Sequence, residues 1–152
     1  EKGKAVVIVI AAAVIAKTIE GEAAISERNP EDYKETQRSH NTMEFFDIVD
    51  EKGIPTGETI ERTQAHKKGV RHRTAHIWII REQDGKAQLL LQKRSAEKDS
   101  FPGRFDTSSA GHIQAGDEPE ESAIRELHEE LGIQASKEEL QFAGCFDIQY
   151  EK

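Results

Sequence analysis

Three glutamates within residues 111–133 are spaced so that they could bind a divalent cation. Glu126, Glu129 and Glu130 lie three and four positions apart, so in an α-helix their side chains share one face. Carboxylates on one ridge repel one another, and a helix gains no stability from that arrangement. Mg²⁺ prefers oxygen ligands and is commonly bound by carboxylates together with substrate phosphates. The spacing therefore predicts a site for Mg²⁺, or Mn²⁺, with a solvated acidic helix face as the alternative.

The flanking residues predict a helix that would present these carboxylates. Pro119 suits the first helical position, where its missing N–H is not needed, and Gly132 suits the C-terminal cap. Asp117 or Glu118 is expected to cap the exposed N–H groups at the helix start. An apolar stripe on the helix should anchor it on a sheet. This stripe consists of Ala123, Ile124, Leu127 and Leu131.

Residues 111–133 resemble the Nudix box, a family pattern written G-x5-E-x7-R-E-U-x-E-E-x-G-U, in which U is apolar. The matching positions are Gly111, Arg125, Glu126, Leu127, Glu129, Glu130, Gly132 and Ile133. One position departs from the pattern, because Asp117 stands where the family has Glu and is shorter by a methylene group. Asp117 is expected to keep a supporting role at reduced reach.

The Nudix resemblance implies both a fold and a reaction. The implied fold is α/β, a Nudix α/β/α sandwich with a mixed sheet, and the implied reaction is metal-dependent hydrolysis of a diphosphate linkage. The substrate would be a nucleoside diphosphate derivative or another organic diphosphate. The metal ligands would be Glu126, Glu129, Glu130 and the Gly111 carbonyl. Arg125 would orient Glu126, the candidate base.

The chain also resembles one branch of that family, which is related to type 1 isopentenyl-diphosphate isomerase. The resemblance covers about residues 45–133 and is strongest at residues 101–103 and 110–112. Those isomerases carry an essential Cys where this chain has Ala110, and they tend to lose acids from the box. Isomerisation needs a thiol and a protonating group, whereas hydrolysis needs clustered carboxylates, so a hydrolase is favoured. An isomerase-like enzyme and a noncatalytic Nudix binding module are the alternatives.

Basic residues and histidines are further candidates for ligand contacts. Arginine binds phosphate through two parallel hydrogen bonds and lysine as a point charge. The candidates for phosphate binding are Arg94, Lys93 and Arg104, with solvated loop charge as the alternative. His66, His72 and His112 match by position the isomerase histidines that hold a second metal. Because the isomerase Cys is absent, ordinary polar or substrate contacts are expected of them, with a second metal site as the alternative.

Composition limits the classes of partner. A net charge of −8 over 152 residues argues against a general nucleic-acid binder. A single cysteine excludes an internal disulfide framework and a cysteine-based zinc site. Seven acids and one arginine fall within residues 117–130, so a cation is needed before an anionic substrate can approach. The expected partner is a small organic diphosphate, and the sequence does not indicate an oligomeric state.

The first 42 residues differ from the rest of the chain and are interpreted as an apolar segment plus a polar linker. The Nudix domain is assigned to residues 43–152. Residues 5–16 are twelve apolar residues preceded by two lysines, which is typical of a signal peptide but also of a buried strand or helix. A cytoplasmic location is expected, with export or membrane anchoring as the alternative.

The remaining elements are predicted from apolar alternation and turn residues. Strands are predicted at residues 45–49, within 71–81, at 87–92, within 105–113 and at 141–150, with a short helical turn at 136–139. A turn is predicted at residues 52–57, a loop at 95–104, and a hairpin at Asp84-Gly85. The chain stops inside the last predicted strand, so it is interpreted as a fragment. Its sheet would be one strand short over the apolar helix stripe.

Overall fold

The computed structural model describes residues 4–15, 43–97 and 101–151, and describes the backbone alone for residues 4–15, 150 and 151. These ranges contain nine strands, two helices and one 3₁₀ turn. In chain order they are β1 (Lys4–Ile15), β2 (Phe45–Val49), β3 (Pro55–Glu61), α1 (Arg62–Lys68), β4 (His72–Gln83), β5 (Lys86–Leu89), β6 (Gln92–Lys93), β7 (Phe105–Asp106), β8 (Ser109–His112), α2 (Pro119–Leu131), a 3₁₀ turn (Lys137–Glu139) and β9 (Leu140–Glu151).

A mixed five-stranded sheet built around β4 carries the other elements. Strand β1 runs parallel to β4 along one edge and is paired antiparallel to β9 on its other side. Strands β8 and β5 follow one another along the opposite edge of β4, and both are antiparallel to it. Two small hairpin sheets, β2–β3 and β6–β7, complete the described strands.

The two faces of β4 carry different side chains because residues alternate along a strand. Ala75, Ile77 and Ile79 are buried on one face and pack against Ala123 and Leu127 of α2. The opposite face carries His72, whose ring contacts the ring of His66 on α1. The helices therefore lie on opposite sides of the sheet, which confirms the mixed α/β fold expected from the sequence.

The helix predicted from the box is present, and its caps differ in detail from the prediction. Helix α2 ends at Leu131 and is capped by Gly132, whose φ of 66° lies in the left-handed region that glycine adopts readily. Glu118 is the N-cap residue, but its side chain makes no capping hydrogen bond. Asp117 does not cap the helix either, because its carboxylate binds Arg125 and Ser122 instead. The prediction of a side-chain cap at this end is therefore wrong.

Several other boundaries also differ from the sequence prediction. The predicted turn at residues 52–57 is shorter, because strand β3 begins at Pro55. The predicted strand at 87–92 is interrupted, since β5 ends at Leu89 and Gln92–Lys93 pairs with β7. Helix α1 is not predicted at all. Its seven residues bury only Ala65, so they carry no apolar periodicity, and the side chain of Glu61 caps it.

Residues 4–15 form a strand inside the sheet. The backbone of β1 pairs from Val7 with His72 to Ile15 with Ile80, and it separates β4 from β9. The sequence allowed a signal peptide, a strand or a helix for the apolar run, and the structure contains a strand there. The apolar stripe of α2 is not left open, because Leu127 is fully buried against β4.

The predicted linker at residues 17–42 lies outside the described residues, and the domain boundary at residue 43 stays a prediction. Neither helix within the described ranges is long and apolar enough to cross a membrane.

Leu127→Ala should destabilise the fold because it opens a cavity between α2 and the sheet. Leu127 is fully buried, and such truncations cost about 2–5 kcal/mol. Leu89→Ala is the matched control, because Leu89 is 46% exposed and surface changes cost within about 0.5 kcal/mol. Urea unfolding of the two variants measures both values. Equal losses would show that α2 is not packed as described.

Candidate metal-binding active site

Glu126 lies directly against the backbone of strand β8. A Cβ atom added at Gly111 would overlap the Glu126 carboxyl group, so only glycine leaves room for it. Gly111 is itself held in the sheet by pairing with Ala75 of β4. The Glu126 side chain is 16% exposed, and Glu129 and Glu130 are half-buried beside it on α2. The helix therefore brings the three predicted carboxylates together against a glycine of the sheet.

The environment of Glu126 disfavours its negative charge. Burial, followed by repulsion from Glu130 and Glu129, raises the pKa of Glu126 to about 7, although Arg125 acts in the opposite direction. A carboxyl group in this position holds a proton near neutral pH unless another cation replaces it. This is the electrostatic behaviour expected of a cluster that binds a divalent metal.

Glu130 is held by a serine that the sequence analysis did not single out. The buried Ser109 hydroxyl donates a 2.7 Å hydrogen bond to Glu130 Oε2. Ser109 stands two residues before Gly111 on β8, so both residues face α2. Residues two apart share one face of a strand, so the spacing between Ser109 and Gly111 could have identified Ser109 from the sequence.

Arg125 is anchored by the residue that departs from the family pattern. Arg125 Nη1 lies 2.6 Å from Asp117 Oδ2, and Arg125 Nη2 donates to the His112 carbonyl at 3.4 Å. Nη2 is also 4.0 Å from Glu126 Oε1. Asp117 therefore reaches Arg125 despite its shorter side chain, and Arg125 lies beside Glu126. The orienting role of Arg125 stays a prediction.

The basic residues predicted to bind phosphate lie around β6 and β7. Arg94 Nη1 is 3.0 Å from Asp106 Oδ2, so a phosphate would compete with this carboxylate for the guanidinium. Lys93 on β6 is exposed. Arg104 is also exposed, and its Cζ lies 5.8 Å from the centroid of the Phe101 ring. The contacts described for Arg94 and Arg104 are with Asp106 and Phe101, not with the carboxylates of the box. The substrate roles of the three basic residues stay predictions.

The three histidines singled out in the sequence form one cluster. One ring nitrogen from each of His66, His72 and His112 lies within 4.8 Å of the others. Phe46 stacks on His72 and His112 at ring-centroid distances of 4.9 and 4.6 Å. Because His112 follows Gly111 on β8, the histidine cluster and the carboxylates lie on opposite faces of that strand.

His72 is in the protonation state that a metal ligand needs. It is fully buried, and burial is the main cause that lowers its pKa, so its ring is neutral near pH 7. Nδ1 lies 2.8 Å from the Val70 carbonyl and donates to it, which leaves the lone pair on Nε2. Among the described residues, Nε2 has no hydrogen-bond partner. The Val70 contact is of the ordinary polar kind expected from the sequence.

The raised pKa of Glu126 predicts a pH-dependent stability in the metal-free protein. A carboxyl group whose folded pKa is raised stabilises the fold below its unfolded pKa of about 4.5, and this contribution is lost as the pH rises through about 7. The full loss would be up to about 3 kcal/mol, at 1.36 kcal/mol per pH unit. Urea unfolding in EDTA at about pH 5 and about pH 8 measures it. Glu126→Gln should remove this pH dependence, and an unchanged dependence in that variant would contradict the assignment.

Comparison with known proteins places the chain in a family. The sequence profile of the NUDIX domain matches residues 70–151, which is more than half of the chain. The chain is 50% identical to Nudix hydrolase 3 of Arabidopsis thaliana over 95 residues, which are 62% of this chain and 12% of that protein. It is 46% identical to an uncharacterized Nudix hydrolase of Clostridium acetobutylicum over 97 residues, which are 64% of this chain and 46% of that protein.

A Nudix hydrolase of Yersinia pestis, also uncharacterized, is 38% identical over 91 residues, which are 60% of this chain and 48% of that protein. The chain thus spans at most about half the length of these relatives. The region that the profile matches contains β4, β8 and the whole of α2 with its carboxylates. This chain therefore belongs to the NUDIX domain family.

Proposed function

We propose that this protein is a Mg²⁺-dependent hydrolase of a diphosphate linkage in a nucleoside diphosphate derivative or another organic diphosphate. The observation that carries the proposal is the packing of the Glu126 carboxyl against Gly111 beside Glu129 and Glu130, a position in which its pKa is raised to about 7. Family membership supports the reaction class, since the relatives are named as hydrolases. Mn²⁺ is the alternative cation.

The residues present fit a hard divalent cation. Glu126, Glu129 and Glu130, with the Gly111 carbonyl, would hold it, and the space that a Cβ at Gly111 would fill is taken by the Glu126 carboxyl. When bound, Mg²⁺ would neutralise the phosphates and lower the pKa of coordinated water. The hydrogen bond from Ser109 to Glu130 would hold that carboxylate in place for this role.

The proposed reaction is substitution at phosphorus by water. The water oxygen forms a bond to one phosphorus, and the bridging P–O bond breaks with its electron pair going to the departing phosphate. Glu126, oriented by Arg125, takes the proton that the water loses. Lys93, Arg94 and Arg104 would contact the phosphates of the substrate.

Two alternatives are less well supported by the same residues. Isomerisation needs a group that exchanges a proton with carbon, and Ala110 offers only a methyl group at the position of the isomerase Cys. A noncatalytic binding module has no need for a complete carboxylate cluster. Hydrolysis is the function in which every box carboxylate has a use.

Glu129→Gln and Glu130→Gln should each lower kcat by at least about 100-fold, because the amide keeps the shape of the side chain but loses the charge that binds metal. Formation of the two phosphate-containing products from each member of a panel of organic diphosphates, separated by chromatography and measured with Mg²⁺ and with EDTA, tests this. Glu120→Gln is the matched control, since Glu120 is an exposed acid in the first turn of α2.

The same panel separates the rival activities. Full activity in EDTA, or in both glutamine variants, would contradict the metal site. Isopentenyl diphosphate belongs in the panel, and its conversion to dimethylallyl diphosphate should be undetectable. Turnover of that substrate to the isomer would replace the hydrolase proposal with the isomerase.

The histidine cluster supports a second cation as part of this proposal, as the isomerase resemblance implies. Imidazole suits transition metals, and a ligand nitrogen lies about 2.0–2.1 Å from zinc. Histidine nitrogens within 4.8 Å of one another need only a small closure to reach that geometry. Dialysis against Zn²⁺ should load about one ion that His72→Ala loses, while Glu129→Gln retains it. Loss of zinc from Glu129→Gln instead would place the ion at the carboxylates.

A further inference from the structure

A partly buried ion pair outside the box contacts the loop that leads into α2. Asp47 on β2 accepts two hydrogen bonds through Oδ2, one from Arg73 Nη2 on β4 and one from the Gly116 N–H, each 3.1 Å long. The side chains of Arg73 and Asp47 are 11% and 14% exposed. Removing one partner of a pair so shielded from water costs more than removing one partner of a surface ion pair, because the remaining charge is left without its counter-charge.

The loop is fixed at three consecutive residues. Arg73 Nη2 also donates to the Asp117 carbonyl at 3.4 Å, and the Ala115 N–H donates to the Phe45 carbonyl at 2.8 Å. Together with the Gly116 contact, these bonds tie the loop to β2 and β4. The backbone position of Asp117 is therefore set by strands that come well before α2 in the sequence.

From Asp117 the contacts continue to the active site. The Asp117 carboxylate lies 2.6 Å from Arg125, and Arg125 lies 4.0 Å from Glu126. Aspartate is one methylene shorter than the glutamate of the family pattern, so it tolerates little movement of its backbone before the contact with Arg125 is lost.

We infer that Asp47 and Arg73 are positioning residues for the active site, which hold the loop at residues 115–117 so that Asp117 keeps Arg125 beside Glu126. The inference rests on the proposed hydrolysis for its effect on activity. Neither residue touches the reacting atoms. Their action passes through Asp117, and this makes the inference testable separately from a general loss of stability.

Asp47→Asn removes the charge of the pair and keeps the size of the side chain. We expect kcat to fall about 10- to 100-fold while KM changes less than about 3-fold, because a displaced orienting group affects the transition state more than binding. Asp147→Asn is the matched control. Asp147 pairs with Arg71 at 3.2 Å, away from the loop, and its loss should change kcat less than about 2-fold.

A double-mutant cycle distinguishes positioning from an independent effect. If Asp47 acts through Asp117, then Asp47→Asn should lower kcat by less than about 3-fold once Asp117→Asn is present. If the fold-loss in kcat of the double variant equals the product of the two single losses, the inference is overturned, because Asp47 would then act by another route.

Amide hydrogen exchange tests the same contacts without substrate. The Gly116 amide should exchange slowly in the 152-residue chain and at least about 10-fold faster in Asp47→Asn, with no comparable change in Asp147→Asn. If Asp47→Asn does not fold, the variant Asp47→Asn/Arg73→Gln, which leaves no uncompensated buried charge, replaces it. Unchanged Gly116 exchange overturns the inference. Absence of hydrolysis in the unmodified protein, with the exchange result as expected, would refute the proposed function alone.

Discussion

The close approach of the Glu126 carboxyl to the backbone of Gly111 is the constraint on which the rest of the site depends. It needs a helix packed tightly on the sheet, a residue without a Cβ at the contact point, and some positive charge to offset the carboxylates. Leu127 and Ala123 supply the packing, and Arg125 supplies part of the charge. Loosening the helix packing would move Glu126 away from the strand and lower the cost of its ionisation, whereas loss of Arg125 would raise that cost.

The two faces of strand β8 contact chemically different groups of side chains. Its residues alternate between a carboxylate side, where Ser109 holds Glu130, and an imidazole side, where His112 joins His66 and His72. Hard cations prefer the oxygen ligands of the first side, and transition metals prefer the nitrogen ligands of the second. A single four-residue strand therefore separates two sets of candidate ligands with different preferences for cations.

The sequence predicted best what depends on local spacing. The carboxylate ridge, its helix and the Gly132 cap all follow from residues within one segment, and the structure confirms their positions. Helix α1 was missed because seven residues with one buried side chain carry no periodic signal. The Asp47–Arg73 pair joins residues 26 positions apart, and no pattern in the sequence indicates which distant carboxylate an arginine will meet. The capping of α2 was mispredicted within the local segment, because the Asp117 carboxylate binds Arg125 rather than the helix N–H groups.

The pairing of β1 has a consequence for how the chain folds. Lys4 at its start pairs with Glu151 on β9, and Val7 pairs with His72 on β4, so β1 lies between strands contributed by distant parts of the sequence. Contacts of such long sequence separation require a large loss of chain entropy before they stabilise anything, and proteins rich in them fold slowly. During synthesis, β1 has no β9 to pair with until β9 has also left the ribosome. Until that point its twelve residues, apolar from Ala5 onward, would be a target for chaperones.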